Sequence, residues 1–77
     1  MRVVIAKVDE VYFDGEARSL TLPGAEGVMT VLPRHMPLIT TLKAGEIVVR
    51  QEGGEAQRFA IESGVLEVRQ GGATVIL

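Results

Sequence analysis

A chain of 77 residues has room for one domain and no second core. Its 8 basic residues are scattered, the net charge is −2, and there is no Trp and a single Tyr, which together exclude a nucleic-acid binder. Cysteine is absent, so disulfides, thiolate metal sites and thiol chemistry are excluded, and no apolar run approaches the roughly 20 residues of a membrane span.

In chain order the residues predict strands throughout and no helix. Val3–Val8 is the first apolar run, and Lys7 and Asp9 interrupt it too early for a signal peptide. Glu16–Leu22 alternates, with Leu20 and Leu22 on one face and Ser19 and Thr21 on the other. Val28–Leu32 follows the turn P-G-A-E-G, Pro23 to Gly27. Ile39–Leu42 follows a loop that holds Pro33, Pro37 and the only histidine, His35. A short helix from Met36 to Leu42 is the rival there. Pro37 and the β-branched pair Thr40-Thr41 disfavour it, so loop then strand is the reading adopted.

Ile47–Gln51 and Gln57–Ile61 point Ile47, Val49, Phe59 and Ile61 inward, with Glu52-Gly53-Gly54-Glu55 as the hairpin tip between them. Val65–Arg69 and Thr74–Leu77 flank a second tip, Gln70-Gly71-Gly72-Ala73. Short strands at this spacing, punctuated by glycine, predict an all-β fold: a sandwich or barrel. For so small a domain the hydrophobic fraction of 47% is high, which suggests that a partner covers apolar surface. The chain reads as soluble and cytosolic.

Chemistry is sparse. Ser19 or Ser63 with His35 and a carboxylate lacks any G-x-S-x-G elbow. Asp9, Glu10 and Asp14 follow no calcium-loop pattern and read as a solvated turn. P-G-A-E-G is not a phosphate loop, because no Lys-Ser/Thr follows it and Glu26 repels phosphate. No catalytic residue, metal or cofactor is expected. His35 reads either as a loop residue bonded to nearby backbone or as an interface residue. Met29 and Met36 read as core filler or as adaptable apolar contacts.

Four stretches carry a resemblance. They are V-Y-F-D-G-E-A at Val11–Ala17, L-P-G-A-E-G at Leu22–Gly27, V-L-P-R-H-M-P-L-I-T-T-L-K-A-G at Val31–Gly45, and S-G-V-L-E-V at Ser63–Val68 with T-V-I-L at the end. In order and spacing they resemble the N-terminal β domain of the epsilon subunit of F-type ATP synthases, over essentially the whole chain. Thr30, Arg34, Ala44 and Val65 depart from what that family usually has.

The resemblance implies a flattened two-sheet β-sandwich of about 8–10 short strands, spanning 1–77 as a single domain; the C-terminal helical hairpin into which that family usually continues is absent from these residues, whether naturally or by removal. It implies a non-catalytic rotor subunit at the foot of the central stalk, peripheral to the cytoplasmic face of a bacterial inner membrane and without lipid insertion. Its partners would be the gamma subunit and the membrane c-ring. Carried over, Glu26, Gly27, Val28 and Met29, with Arg34, His35 and Met36, would form the c-ring end, and Tyr12 and Phe13 would lie at the margin of the gamma surface. The alternative from another class is a free-standing β-sandwich binding module or homo-oligomer, built on an apolar patch of Met29, Met36 and Leu38.

Overall fold

The computed structural model describes all 77 residues and contains nine strands and no helix, so no helix crosses a membrane. The strands are β1 (Arg2–Lys7), β2 (Glu10–Glu16), β3 (Ser19–Gly24), β4 (Gly27–Val31), β5 (Leu38–Leu42), β6 (Gly45–Arg50), β7 (Ala56–Ile61), β8 (Gly64–Arg69) and β9 (Gly72–Ile76). They form one curled sheet in the order β2-β1-β9-β8-β5-β3-β6-β7, with β4 on the other edge of β3. The curl makes two layers. One is β2-β1-β9-β8-β5, called the five-stranded layer below. The other is β4-β3-β6-β7. All pairs are antiparallel except β1 with β9.

The layers meet at one short junction. Gly24 pairs with Leu42, Lys43 N–H donates to Pro23 O at 2.9 Å, and Ala25 N–H donates to Thr41 O at 3.0 Å. From there the chain bends through Lys43 and Ala44 into β6, which pairs the first half of β3. A methyl group on Gly45 would lie 2.8 Å from Pro23 Cβ, so only glycine lets the strands pass this closely.

Alternation fills the space between the layers. Val3, Ile5, Leu20, Leu22, Val31, Ile47, Val49, Leu66 and Val75 are fully buried, and each such side chain contributes about 1.5–3 kcal/mol. No polar or charged residue is buried, and no buried side-chain polar atom lacks a partner. Leu20, Leu22, Ile47, Val49 and Ile61 face inward as their alternation predicts, and Phe59 is half-buried beside Phe13, with ring centroids 6.4 Å apart at 68°.

Three expectations need correction. Glu10 and Asp14 do not belong to a solvated turn: both lie in β2, Asp14 with Gly15 opposite Val4 and Val3 of β1. The turn is at Val8-Asp9, so a whole strand fits where the sequence predicted a loop, and the next strand starts at Ser19 instead of Glu16. At the β8–β9 hairpin only Gly71 has positive φ (87°), and Gly72 already belongs to β9. The Gly53-Gly54 tip is as expected, with φ of 89° and 88°.

Gly72 has a different task. A Cβ there would sit 2.7 Å from the carbonyl oxygen of Arg2, its parallel neighbour. Gly72→Ala must push β1 and β9 apart, and is expected to cost about 1–3 kcal/mol. Thermal unfolding should show the midpoint falling by roughly 4–8 °C per kcal/mol.

Candidate protein-interaction surfaces

Successive turns of an antiparallel chain fall at opposite ends. The links Val8–Asp9, Ala25–Glu26, Lys43–Ala44 and Glu62–Ser63 share one end of the molecule. Ala17–Arg18, the Leu32–Pro37 loop, the Gly53-Gly54 tip and Gln70–Gly71 share the other. The seven residues expected to form one patch are therefore not together. Glu26 and Gly27 sit at the first end, and Arg34, His35 and Met36 at the second, separated by β4, a strand about 13–17 Å long.

The first cluster caps a flank. Met29 points inward from β4 and, with Gly24 to Val28, lines a shallow groove of about 330 Å³ opposite Leu38 and Thr40 of β5. Val28 points out and is 77% exposed. The second cluster is a tight turn in which His35 N–H donates to Leu32 O at 2.9 Å and Pro33 fixes the backbone. His35 Nδ1 donates to Met36 O at 2.8 Å, so the ring braces its own loop. Leu32 and Pro33 face Ala17, Arg18 and Glu52 across a second groove, and Met36 is exposed.

Tyr12 and Phe13 part company because β2 carries a bulge. Ile5 pairs with Phe13 and Ala6 with Val11, which leaves Tyr12 as the extra residue. Phe13 is buried against Phe59. The bulge re-aims Tyr12 onto the opposite flank. There it lines a groove of about 550 Å³ with Lys7, Arg58, Phe59, Ile61 and Leu77.

The two outer faces differ. On the five-stranded layer, register aligns Thr41, Val65, Ile76, Ala6 and Val11 in one row across all five strands. Val65, Ile76 and Val11 are exposed, and Ile39 adds to the same face from the next row. This apolar row lies at the end that carries Glu26. Toward the other end the face becomes charged: Arg2 holds Asp14 through two bonds of 3.0 and 2.9 Å, and Arg69 Nη1 donates to Thr74 Oγ1 at 2.7 Å. The outer face of β4-β3-β6-β7 is largely polar, Val28 at its edge aside, with Thr21 bonded to Thr30 at 3.1 Å and Arg58 to Glu46 at 3.2 Å. Sequence reading missed the apolar row because it is assembled by register between strands distant in the chain. Its only local signal is an apolar residue at each outward position of β8, β9 and β1 nearest this end.

No group of three or more His, Cys, Asp or Glu side chains is placed to hold a metal ion. The surfaces present apolar rows, strand edges and ion pairs, which suit recognition of another protein.

Comparison with known proteins gives one family. The description "ATP synthase, Delta/Epsilon chain, beta-sandwich domain" matches residues 1–77. A protein of Bordetella petrii named ATP synthase epsilon chain is 40% identical over 77 residues, covering 99% of this chain and 54% of that protein. One of the same name from Alkalilimnicola ehrlichii is 37% identical over 76 residues, again covering 99% and 54%. The chain thus spans about half the length of these relatives. Among solved structures, a chain of the Euglena gracilis mitochondrial ATP synthase, solved as OSCP, F1 and c-ring, superposes with a TM-score of 0.89 at 26% identity, over 96% of this chain and 48% of that one. A chain of the Tetrahymena thermophila mitochondrial ATP synthase central stalk and c-ring shares the fold, with a TM-score of 0.81 at 12% identity over 97% and 60%.

The Arg2–Asp14 pair generates a pH prediction. The hydrogen bonds from Arg2 hold the Asp14 carboxyl below the ordinary aspartate range, against an opposing desolvation that exceeds the attraction of the guanidinium charge, and the same contact raises the Arg2 guanidinium. A depressed folded value means the pair stabilises above the ordinary aspartate range and is lost as pH falls through the folded value. The melting temperature of Asp14→Asn should therefore lie slightly below that of the parent at neutral pH. The two curves should converge in acid.

Proposed function

The chain belongs to the ATP synthase delta/epsilon β-sandwich family, and from that premise we propose that it acts as a non-catalytic central-stalk piece joining a gamma-type subunit to the membrane c-ring. The observation that carries this reading is the unequal chemistry of the two outer faces. One bears a continuous apolar row and the other is polar and internally paired, so a single face calls for a partner. That row, Val11, Ala6, Ile76 and Val65, is assigned to the gamma subunit. Tyr12 lies at its margin, and Phe13 supports it from beneath.

The c-ring contact is assigned to the end next to that row, where Glu26, Gly27, Val28 and Met29 project. Arg34, His35 and Met36, a strand length away, are given no part in it. Two partners then meet adjoining surfaces of one body, which suits a part that transmits torque between them. Such a subunit would be peripheral to the membrane, on the face where the catalytic sector sits. The rival reading, a free-standing binding module, uses the same row but requires no stalk partner.

Co-purification with a gamma-type subunit, read by gel filtration and native mass spectrometry, tests the reading. A one-to-one complex is expected. Ile76→Glu should weaken it by about tenfold or more, since it buries a charge in the row. Arg58→Ala on the polar face should leave it intact. Failure to form any complex, with both proteins folded, overturns the assignment.

The end contact has its own test. Glu26→Lys should reduce sedimentation with c-ring-containing membranes, and His35→Ala should not. The reverse pattern would move the contact to the other end.

A further inference from the structure

Four strands border the two layers, and three are guarded against pairing with another chain. β2 carries Glu10, Asp14 and Glu16 and the bulge at Tyr12. β7 carries Gln57 and Arg58, and β5, itself uncharged, follows directly on Pro37 and has its far end occupied by Gly24 and Ala25 of β3's junction. These are the usual protections of a strand edge. The fourth, β4, reads Gly27-Val28-Met29-Thr30-Val31, with no charge and no proline.

Backbone groups alternate sides along a strand. Pro23 O and Ala25 N–H are bonded to β5, so Gly24, Leu22 and Leu20 face β4. Their partners Gly27, Met29 and Val31 face back. The N–H and C=O of Val28 and Thr30 therefore point outward along the free edge, and no backbone hydrogen bond reaches them.

We propose that in the free chain this edge pairs with the same edge of a second copy, forming an antiparallel dimer about a two-fold axis at Met29. In that register Val28 of one copy lies opposite Thr30 of the other. Both residues present outward groups, so each pair exchanges N–H···O=C bonds without a slip. The ends match as well. Glu26 precedes β4 and the Leu32–His35 turn follows it, so the axis brings Glu26 of one copy beside the turn carrying Arg34 of the other. Neither Glu26 nor Arg34 has an ion-pair partner within its own chain. Two unpaired charges of opposite sign at opposite ends of one unguarded strand are complementary to a copy of themselves. This inference goes beyond the stalk reading and does not rest on it. It adds that self-pairing and the Glu26–Met29 contact compete for one surface.

Sedimentation velocity of the 77-residue chain, from micromolar to millimolar, is the test. A reversible, concentration-dependent dimer is expected. Thr30→Pro removes one outward donor from each copy but none from the β3–β4 ladder, and should weaken the dimer by roughly tenfold or more. Glu26→Lys should weaken it through charge alone, and Glu26→Lys combined with Arg34→Glu should restore it. Circular dichroism and melting temperature confirm that each variant is folded. A monomer at every concentration overturns the proposal. So does a dimer that both Glu26→Lys and a folded Thr30→Pro leave unchanged. Binding to a gamma-type subunit is a separate property, and its presence or absence neither supports nor opposes the dimer.

Discussion

Everything in this fold hangs on the junction of Pro23-Gly24-Ala25 with Thr41-Leu42-Lys43. It is the only place where the two layers are hydrogen-bonded to one another. Strand β3 divides one edge between two neighbours there, β6 along its first half and β5 at its last residue. Without that sharing, the two layers would be separate sheets, joined only by side-chain packing and by the chain itself. Gly45 makes it sterically possible, and Gly24 at the same point lets β4 close against β3. A side chain on Gly24 would meet the Gly27 carbonyl at 2.9 Å, and one on Gly45 would meet Pro23. The motif L-P-G-A-E-G followed by L-K-A-G is thus a structural device before it is a functional one.

The junction also explains the flanks. A sheet that curls through one short contact closes incompletely, and each flank keeps a groove where the layers diverge. Met29 and Leu38 plug one. Tyr12, Phe59 and Leu77 line the other. All five are partly buried residues packed at the margin of the 15-residue core, so the interior continues outward without a sharp boundary. The body is nearly isometric, 28 × 25 × 21 Å, and only modestly flattened.

Much of this was legible in the residues. Alternation identified the inward faces of β3, β6 and β7, because a period of two is a local property. The paired glycines marked the β6–β7 tip for the same reason. What failed was non-local. Asp14-Gly15 has the composition of a turn, yet it extends β2 because Arg2 of β1 clamps Asp14 and Val3 pairs with Gly15 across the strands. The separation of Glu26 from His35 is a matter of topology: their loops are neighbours in sequence, and antiparallel strands send consecutive loops to opposite ends. The apolar row of Val11, Ala6, Ile76 and Val65 draws on four strands, one pair of them parallel. No single stretch of sequence contains it.

That row shows how core packing and surface chemistry are kept apart in so small a domain. Val75 is fully buried while Ile76, its neighbour, is 52% exposed; Leu66 and Val65 divide likewise at 0% and 41%. Adjacent residues serve opposite faces, so a change at Ile76 alters the outer surface and leaves the packing beneath it in place. The polar layer cannot offer the same separation, since its outward residues are engaged with one another through Thr21–Thr30 and Arg58–Glu46. Exposed surface pairs of this kind are worth little to stability, about 0–1 kcal/mol for an ion pair. Their larger effect is to satisfy the middle of that face internally, so that what the polar layer leaves unmet lies at its β4 edge, while the five-stranded layer leaves a whole apolar row.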